Sequence, residues 1–364
     1  MLIVDAHEDL AYNALVDGRD YRRSAHATRL AEAGGPVPEL NGACMPGLPE
    51  WIEAGVCLVF ATVTAIPAAA ARPGETGYHD ATEAHHQAVA QLEIYRTWVA
   101  SHPQLAFVTR QCHLDEVLAS WSGSPGTAGG SDVRTVGLVL LIENADVIRT
   151  PAEVAFWYEQ GVRLVGPAWH TNRYTGGTND PGPLTDLGRE LLREMGRLGM
   201  ILDLSHMADE ACLEALDRYE GPIVATHANS RRLVPIPRLL ADGVIKGLAA
   251  RDGVIGTMPL NWALDPTWRQ HRRKEAVPLD RVVDAIDAVC QISGDVRHVG
   301  IGTDFDGGQG AEGTPAELDT IADLPKLAAA LTRRGYDRDA VEAVMGGNWL
   351  RLMRRHLPTG AGTP

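Results

Sequence analysis

Short, nearly continuous apolar runs recur along the whole chain: residues 2–6, 56–64, 136–142, 162–168, 200–205, 222–226, 253–258 and 297–303. They are β-branched and do not alternate with polar residues, the pattern of strands buried on both faces of a parallel sheet. Each gap between runs is long enough for a helical crossover. Residues 80–100 are rich in Ala and Glu. Residues 185–198 place Leu187, Leu191, Leu192, Met195 and Leu198 on one helical stripe, and residues 279–292 do the same with Val282, Val283, Ile286 and Val289. Eight strand-like runs alternating with helices predict the α/β class and a (β/α)₈ TIM-like barrel, with a doubly wound open sheet as the structural alternative. The expected organisation is a single domain over 1–364, with insertions around 17–55 and 65–135. The Gly- and Ser-rich stretch 122–134 reads as an exposed loop, as do 65–78 and 357–364.

The residues just beyond each apolar run are more telling than the runs themselves. The first run leads into His7 and Asp9, the third into Glu143, the fourth into His170, the fifth into His206, the sixth into His227, and the last into Asp304 and Asp306. In a (β/α)₈ barrel these C-terminal strand ends converge on one mouth, where active sites are built. Imidazoles and carboxylates gathered there suit Zn²⁺ and its first-row neighbours, and the set contains no Cys. His7 and Asp9, two apart on an extended chain, point to the same side and can serve one ion. A carboxylate such as Glu143 has two oxygens and can bridge two cations. His170 reads equally as ligand, substrate donor or capping residue, and Asp306 as a site residue or as the stabiliser of a turn with Gly307. The remaining histidines read as ordinary, with His85 and His86 on a solvated helical face.

Composition narrows the chemistry. There are 33 Lys and Arg against 47 Asp and Glu among 364 residues, a formal net charge of −14. That balance argues against a nucleic-acid binder. No apolar run is long enough to span a membrane. The opening MLIVDAHEDL has no basic n-region or long apolar stretch, so no secretory signal is expected. Five scattered Cys without a CxxC pair read as reduced thiols, hence a cytoplasmic location. The three Lys, Lys246, Lys274 and Lys326, follow no strand run. This counts against a carboxylated-Lys metal bridge and against Schiff-base chemistry.

Several segments carry a family resemblance: DAHEDL at 5–10, IENAD at 142–146, HTNRYTGG at 170–177, GMILDLSHM at 199–207, ATHANSR at 225–231, VPIPR at 234–238, GVIGTMPLNW at 253–262, HVGIGTDFDGG at 298–308 and GGNWLRL at 346–352. In this order they resemble the membrane (renal-type) dipeptidase family of binuclear zinc peptidases, in its soluble bacterial form. The resemblance implies a metallohydrolase barrel and two Zn²⁺ per chain, with His7 and Asp9 on one, His206 and His227 on the other, and Glu143 bridging them. It assigns substrate handling to His170, Arg238 and Asp304. It also implies a possible homodimer. The chain departs from the family at Ile236 and Leu239, beside Arg238, where the family commonly has His and Asn. It departs again at Asn144, where Gly usually follows the bridging Glu.

The function expected is hydrolysis of dipeptides, including those with a D-residue at the C-terminal position, by a metal-bridging hydroxide. His170 and one zinc would stabilise the oxyanion. Asp304 would carry the proton, and Arg238 would grip the substrate carboxylate or else pair with an acid such as Asp242. The alternatives are another metal-dependent barrel amidohydrolase, of lactonase or deaminase type, and a non-catalytic binding barrel.

Overall fold

The computed structural model describes residues 1–72, 75–123 and 133–360. Nine strands are present among them: β1 Ile3–Glu8, β2 Val56–Thr64, β3 Leu105–Phe107, β4 Val136–Glu143, β5 Val162–Gly166, β6 Ile201–Asp203, β7 Ile223–Val224, β8 Ile255–Thr257 and β9 Val299–Ile301. All pair in parallel, in the order β7-β6-β5-β4-β2-β1-β9-β8. A bridge between Ala225 and Ile255 links the two ends, so eight strands form a nearly closed barrel. The eight apolar runs are its staves. The ninth strand, β3, lies outside the barrel path and pairs only with β4. Its three residues LAF are too short a pattern to stand out in sequence.

The helices expected near 80–100, 185–198 and 279–292 span Ala81–Ser101, Asp186–Arg197 and Asp280–Ser293. The first two have side-chain N-caps, from Asp80 and Thr185, which accept from otherwise unpaired backbone N–H groups. The third ends on Gly294 in the left-handed conformation. Most of the Gly/Ser stretch 122–134, part of 65–78 and the tail end 361–364 lie outside the described residues.

Alternate strand residues serve two apolar layers. Val4, Phe60, Leu141, Leu164, Ile201 and Val224 pack together with Trp349 and Met353 of the C-terminal helix. Val59, Leu140, Val165, Leu202 and Ile223 pack with the surrounding helices through residues such as Leu191, Val244 and Ile286. The candidate metal ligands lie at or just beyond the C-terminal ends of the strands. No helix among the described residues is long and apolar enough to cross a membrane. All five cysteines are free.

Candidate metal centre

The strand ends bring His7, Asp9, Glu143, His206, His227 and Asp304 together. Glu143 Oε1 lies 3.6 Å from His7 Nε2, 3.3 Å from His206 Nε2 and 3.4 Å from His227 Nε2. Asp9 Oδ1 is 3.7 Å from His7 Nε2. Three overlapping groups have ligand atoms close enough to share an ion: His7, Asp9 and Glu143; Glu143, His206 and His227; and His7, His227 and Asp304. The first two coincide with the pairs of ligands expected from sequence. The third puts Asp304 within reach of an ion as well.

The fit to divalent metal rests on unmet polar demand. Glu143 Oε1 and His7 Nε2 are buried with no hydrogen-bond partner. His206 Nε2 and His227 Nε2 face each other at 2.9 Å. Burial, reinforced by Arg238, lowers His7 to about 3. Burial first, then neighbouring cations, holds His206 and His227 well below the usual imidazole value. All three rings are therefore neutral near pH 7, the form that ligates metal. Burial pushes Asp9 up to about 6 and raises Glu143 and Asp304 well above the ordinary carboxyl value, the latter two also repelled by a neighbouring carboxylate. Three carboxylates crowded around bare imidazole nitrogens have one cation beside them, Arg238, and divalent ions would balance the rest.

Two buried aspartates hold this array. Asp203 Oδ1 accepts from Ser205 N at 3.0 Å, Ser205 Oγ at 2.7 Å and Thr226 N at 2.9 Å, while Oδ2 accepts from Thr226 Oγ1 at 2.5 Å. This clasps the ends of β6 and β7 one residue before His206 and His227. Asp5 does the same between β1 and β9, accepting from Thr303 N at 2.7 Å and Thr303 Oγ1 at 2.5 Å, beside Asp304. Thr62 Oγ1 donates to Asp9 at 2.5 Å. None of these partners stands out in sequence. The only local signal is a Thr before His227 and before Asp304, with an Asp two or three residues before His7 and His206.

Asn144, His206, Asp304 and Asp306 all have positive φ, between 55° and 78°. Such backbone is sparsely populated by non-glycine residues and clusters at functional sites. At Asn144, where Gly is usual, the side chain compensates. It donates to Ala65 O and accepts from Asp146 N and Asn172 Nδ2. Asp306 is neither a ligand nor merely a turn residue. It is buried, forms an ion pair with Arg19 Nη1 at 2.7 Å and accepts from Tyr21 Oη at 2.9 Å and Met45 N at 2.9 Å, tying the 17–55 segment to the mouth.

Arg238 is half-buried, with its Nη1 shielded from solvent. Its Nη2 donates to His227 O at 3.1 Å and lies 3.0 Å from His206 Nε2, while Nη1 has no partner. Asp242, the alternative partner for Arg238, pairs with Arg232. An open cleft of about 430 Å³ is lined by Asp9, Glu143, His206, Arg238 and Asp304, with Trp169, Ile236, Trp262 and Arg269 among its other walls. A smaller lobe of about 120 Å³ shares Asp9, Glu143 and Trp169. His170 is half-buried, its ring centroid 6.2 Å from that of Trp169, and Trp169 rather than His170 lines the cleft. His85 corrects its expectation. It is buried, Nδ1 bonds Val147 O at 3.1 Å, and its ring packs on Trp157, because that side of the long helix faces the 145–157 segment instead of solvent.

Comparison with known proteins bears on the family and the fold. The family model described as membrane dipeptidase (Peptidase family M19) matches residues 1–359. The chain belongs to this family. Among relatives of the M19 chain, an uncharacterised protein in the pqqA 5′ region of Klebsiella pneumoniae is 35% identical over 207 residues, covering 54% of this chain and 73% of that protein. Dipeptidase tcpJ of Claviceps purpurea is 31% identical over 226 residues, 60% of this chain and 49% of its own length. The chain thus spans about half the length of that dipeptidase. A metallopeptidase from Rhodobacter sphaeroides, solved with a phosphinate mimic of the dipeptide L-Ala-D-Ala, superposes with TM-score 0.77 at 22% identity, covering 98% and 99% of the two chains. The probable dipeptidase PvdM of Pseudomonas aeruginosa gives 0.78 at 20% identity, covering 96% and 94%. These two likenesses establish the shared barrel fold for the M19 chain.

Proposed function

We propose that this M19 protein is a zinc-dependent dipeptidase holding two ions, with His7 and Asp9 on one, His206 and His227 on the other, and Glu143 between them. The observation that carries this is the convergence of three imidazole Nε2 atoms on the partnerless Glu143 Oε1. Bound there, zinc would supply Lewis acidity and make water a competent nucleophile near neutral pH.

The chain's own groups supply the rest. Arg238 Nη1, buried and unpaired at the cleft, takes the substrate's terminal carboxylate, which limits the site to short peptides. Asp304, whose carboxyl is raised by burial and by Asp9, accepts a proton at a carboxylate oxygen and returns it to the departing amine. His170, which does not line the cleft in this structure, would have to turn into it beside Trp169 to donate to the scissile carbonyl oxygen. The L-Ala-D-Ala mimic held by the Rhodobacter relative favours acceptance of a D-residue at the C-terminal position. The substrate is a small molecule. A homodimer is the assembly we carry from the resemblance, and the free cysteines favour the cytoplasm.

The test is metal analysis together with kinetics on L-Ala-L-Ala, L-Ala-D-Ala and their C-terminal amides. About two zinc ions per chain and turnover of the free dipeptides are expected. Arg238→Ala should cost on the order of 1.5–3 kcal/mol in kcat/KM for free dipeptides and little for amides. Equal losses for both would remove Arg238 from carboxylate recognition. Metal-loaded protein inactive on every dipeptide would overturn the reading.

A further inference from the structure

Two of the three imidazoles at the centre meet the same hydroxyl. Thr226 Oγ1 lies 3.0 Å from His227 Nδ1 and 3.4 Å from His7 Nδ1, although His7 and Thr226 are 219 residues apart. The hydroxyl's single proton is engaged elsewhere, donated to Asp203 Oδ2 at 2.5 Å. Asp203 Oδ1 also receives Ser205 N, Ser205 Oγ and Thr226 N, three donors on one oxygen, which leaves Oδ2 to accept from the Thr226 hydroxyl. A hydroxyl has one proton and two lone pairs. With the proton spent on Asp203, the oxygen can only accept, and each imidazole Nδ1 pointing at it must carry the hydrogen. His206 makes no such contact; its Nε2 lies 3.0 Å from the guanidinium of Arg238.

We propose that Thr226 is a positioning residue: its hydroxyl, oriented by Asp203, fixes the Nδ1–H tautomer of His227 and His7 and so turns both Nε2 lone pairs toward Glu143. One Thr thereby couples a residue assigned to each of the two ions. The neutral imidazole otherwise divides between two tautomers, and only one presents Nε2 as a ligand. The carbonyl of the same residue is wedged between Gly256 and Gly302, where a Cβ on either glycine would stand 1.8 Å from it, so Thr226 is also fixed through its backbone.

The inference rests on the metal-centre reading for its purpose but not for its test. Thr226→Val keeps the shape and removes the hydroxyl; Thr226→Ser keeps the hydroxyl. Two readouts apply. Long-range ¹⁵N–¹H NMR of the metal-free protein reports each imidazole tautomer, with His85 and His298, which bond backbone carbonyls through Nδ1, as internal references. Competition against a chromophoric chelator reports zinc affinity. Wild type and Thr226→Ser should show His227 and His7 protonated at Nδ1. Thr226→Val should shift His227 toward the Nε2–H form and bind zinc about tenfold or more weakly. A merely structural role would lower the melting temperature and leave the tautomer unchanged, which would overturn the proposal. So would an Nε2–H His227 in the wild type, a result that needs no variant to fold. If wild type binds no zinc, the metal-centre reading fails, while the tautomer spectrum still decides the role of Thr226.

Discussion

At the scale of single residues, histidines that look alike in sequence divide sharply by environment. His206 and His227 face Glu143 and Arg238, whereas His85 is spent on Val147 O and the aromatic ring of Trp157. His206→Ala and His227→Ala should each lower bound zinc and activity together, because each removes one ligand from a set with few spares. His85→Ala should leave zinc content unchanged and instead lower stability by about 1–3 kcal/mol, since it leaves a buried carbonyl without its partner. Metal analysis beside thermal melts checks both. Full zinc retention in the His206 and His227 variants would refute the ligand assignment. The sequence places these residues at strand ends; it does not distinguish the buried His85 from a solvated one, because that depends on which neighbour its helix meets.

At the scale of elements, the mouth is built where strand ends approach too closely for side chains. Gly256 on β8 and Gly302 after β9 both abut the carbonyl of Thr226. The two Asp–Thr clasps then pin β6 to β7 and β1 to β9 just below the site residues. Gly256→Ala should therefore push Thr226 out of place. We expect a loss of about 1–3 kcal/mol from overpacking, with zinc affinity falling in parallel. The same substitution at Gly243, which has nothing within 4 Å, should leave zinc affinity unchanged. Chelator competition on both variants checks this; equal affinities would show that the approach at Thr226 does not position the ligands.

At the scale of the whole molecule, the centre couples stability to pH and to metal. Asp9 is raised to about 6 by burial, and burial with a neighbouring carboxylate raises Glu143 and Asp304 well above the ordinary carboxyl value. A carboxyl raised in the folded state contributes stability that is full below its unfolded value and lost as pH rises through its folded one. The three site histidines are depressed in the folded state and act in the opposite sense over the same window, losing stability as pH falls below their ordinary value of 6.5. The chelator-treated protein should therefore vary less in melting temperature between about pH 5 and about pH 7.5 than the zinc-loaded one. Acids held below their ordinary values, such as Asp20 and Asp242, act in more acidic solution than this window. Zinc binds the deprotonated ligands, so the zinc-loaded protein should lose stability steeply as pH falls and protons compete for the site. Parallel slopes in calorimetry with and without zinc would show that these carboxylates do not titrate with the metal.

The sequence by itself determined the barrel and the inventory of its mouth. Apolar runs buried on both faces leave few alternatives to parallel strands, and a barrel sends every strand's C-terminal end to one place, so His7, Glu143, His206, His227 and Asp304 were legible as a set although they are spread over some 300 residues. Only the tertiary structure decided how that set is held. The acceptors that orient it, Asp5 and Asp203, and the hydroxyls they engage, Thr303 and Thr226, are common residue types whose meaning lies in contacts across 298 and 23 positions. The freedom of Arg238 Nη1, the tie between Asp306 and Arg19, and the burial of His85 have the same origin. Periodicity along the chain reports which face of an element is buried; the partner that meets a polar atom there is set by the packing of other elements, which no local pattern encodes.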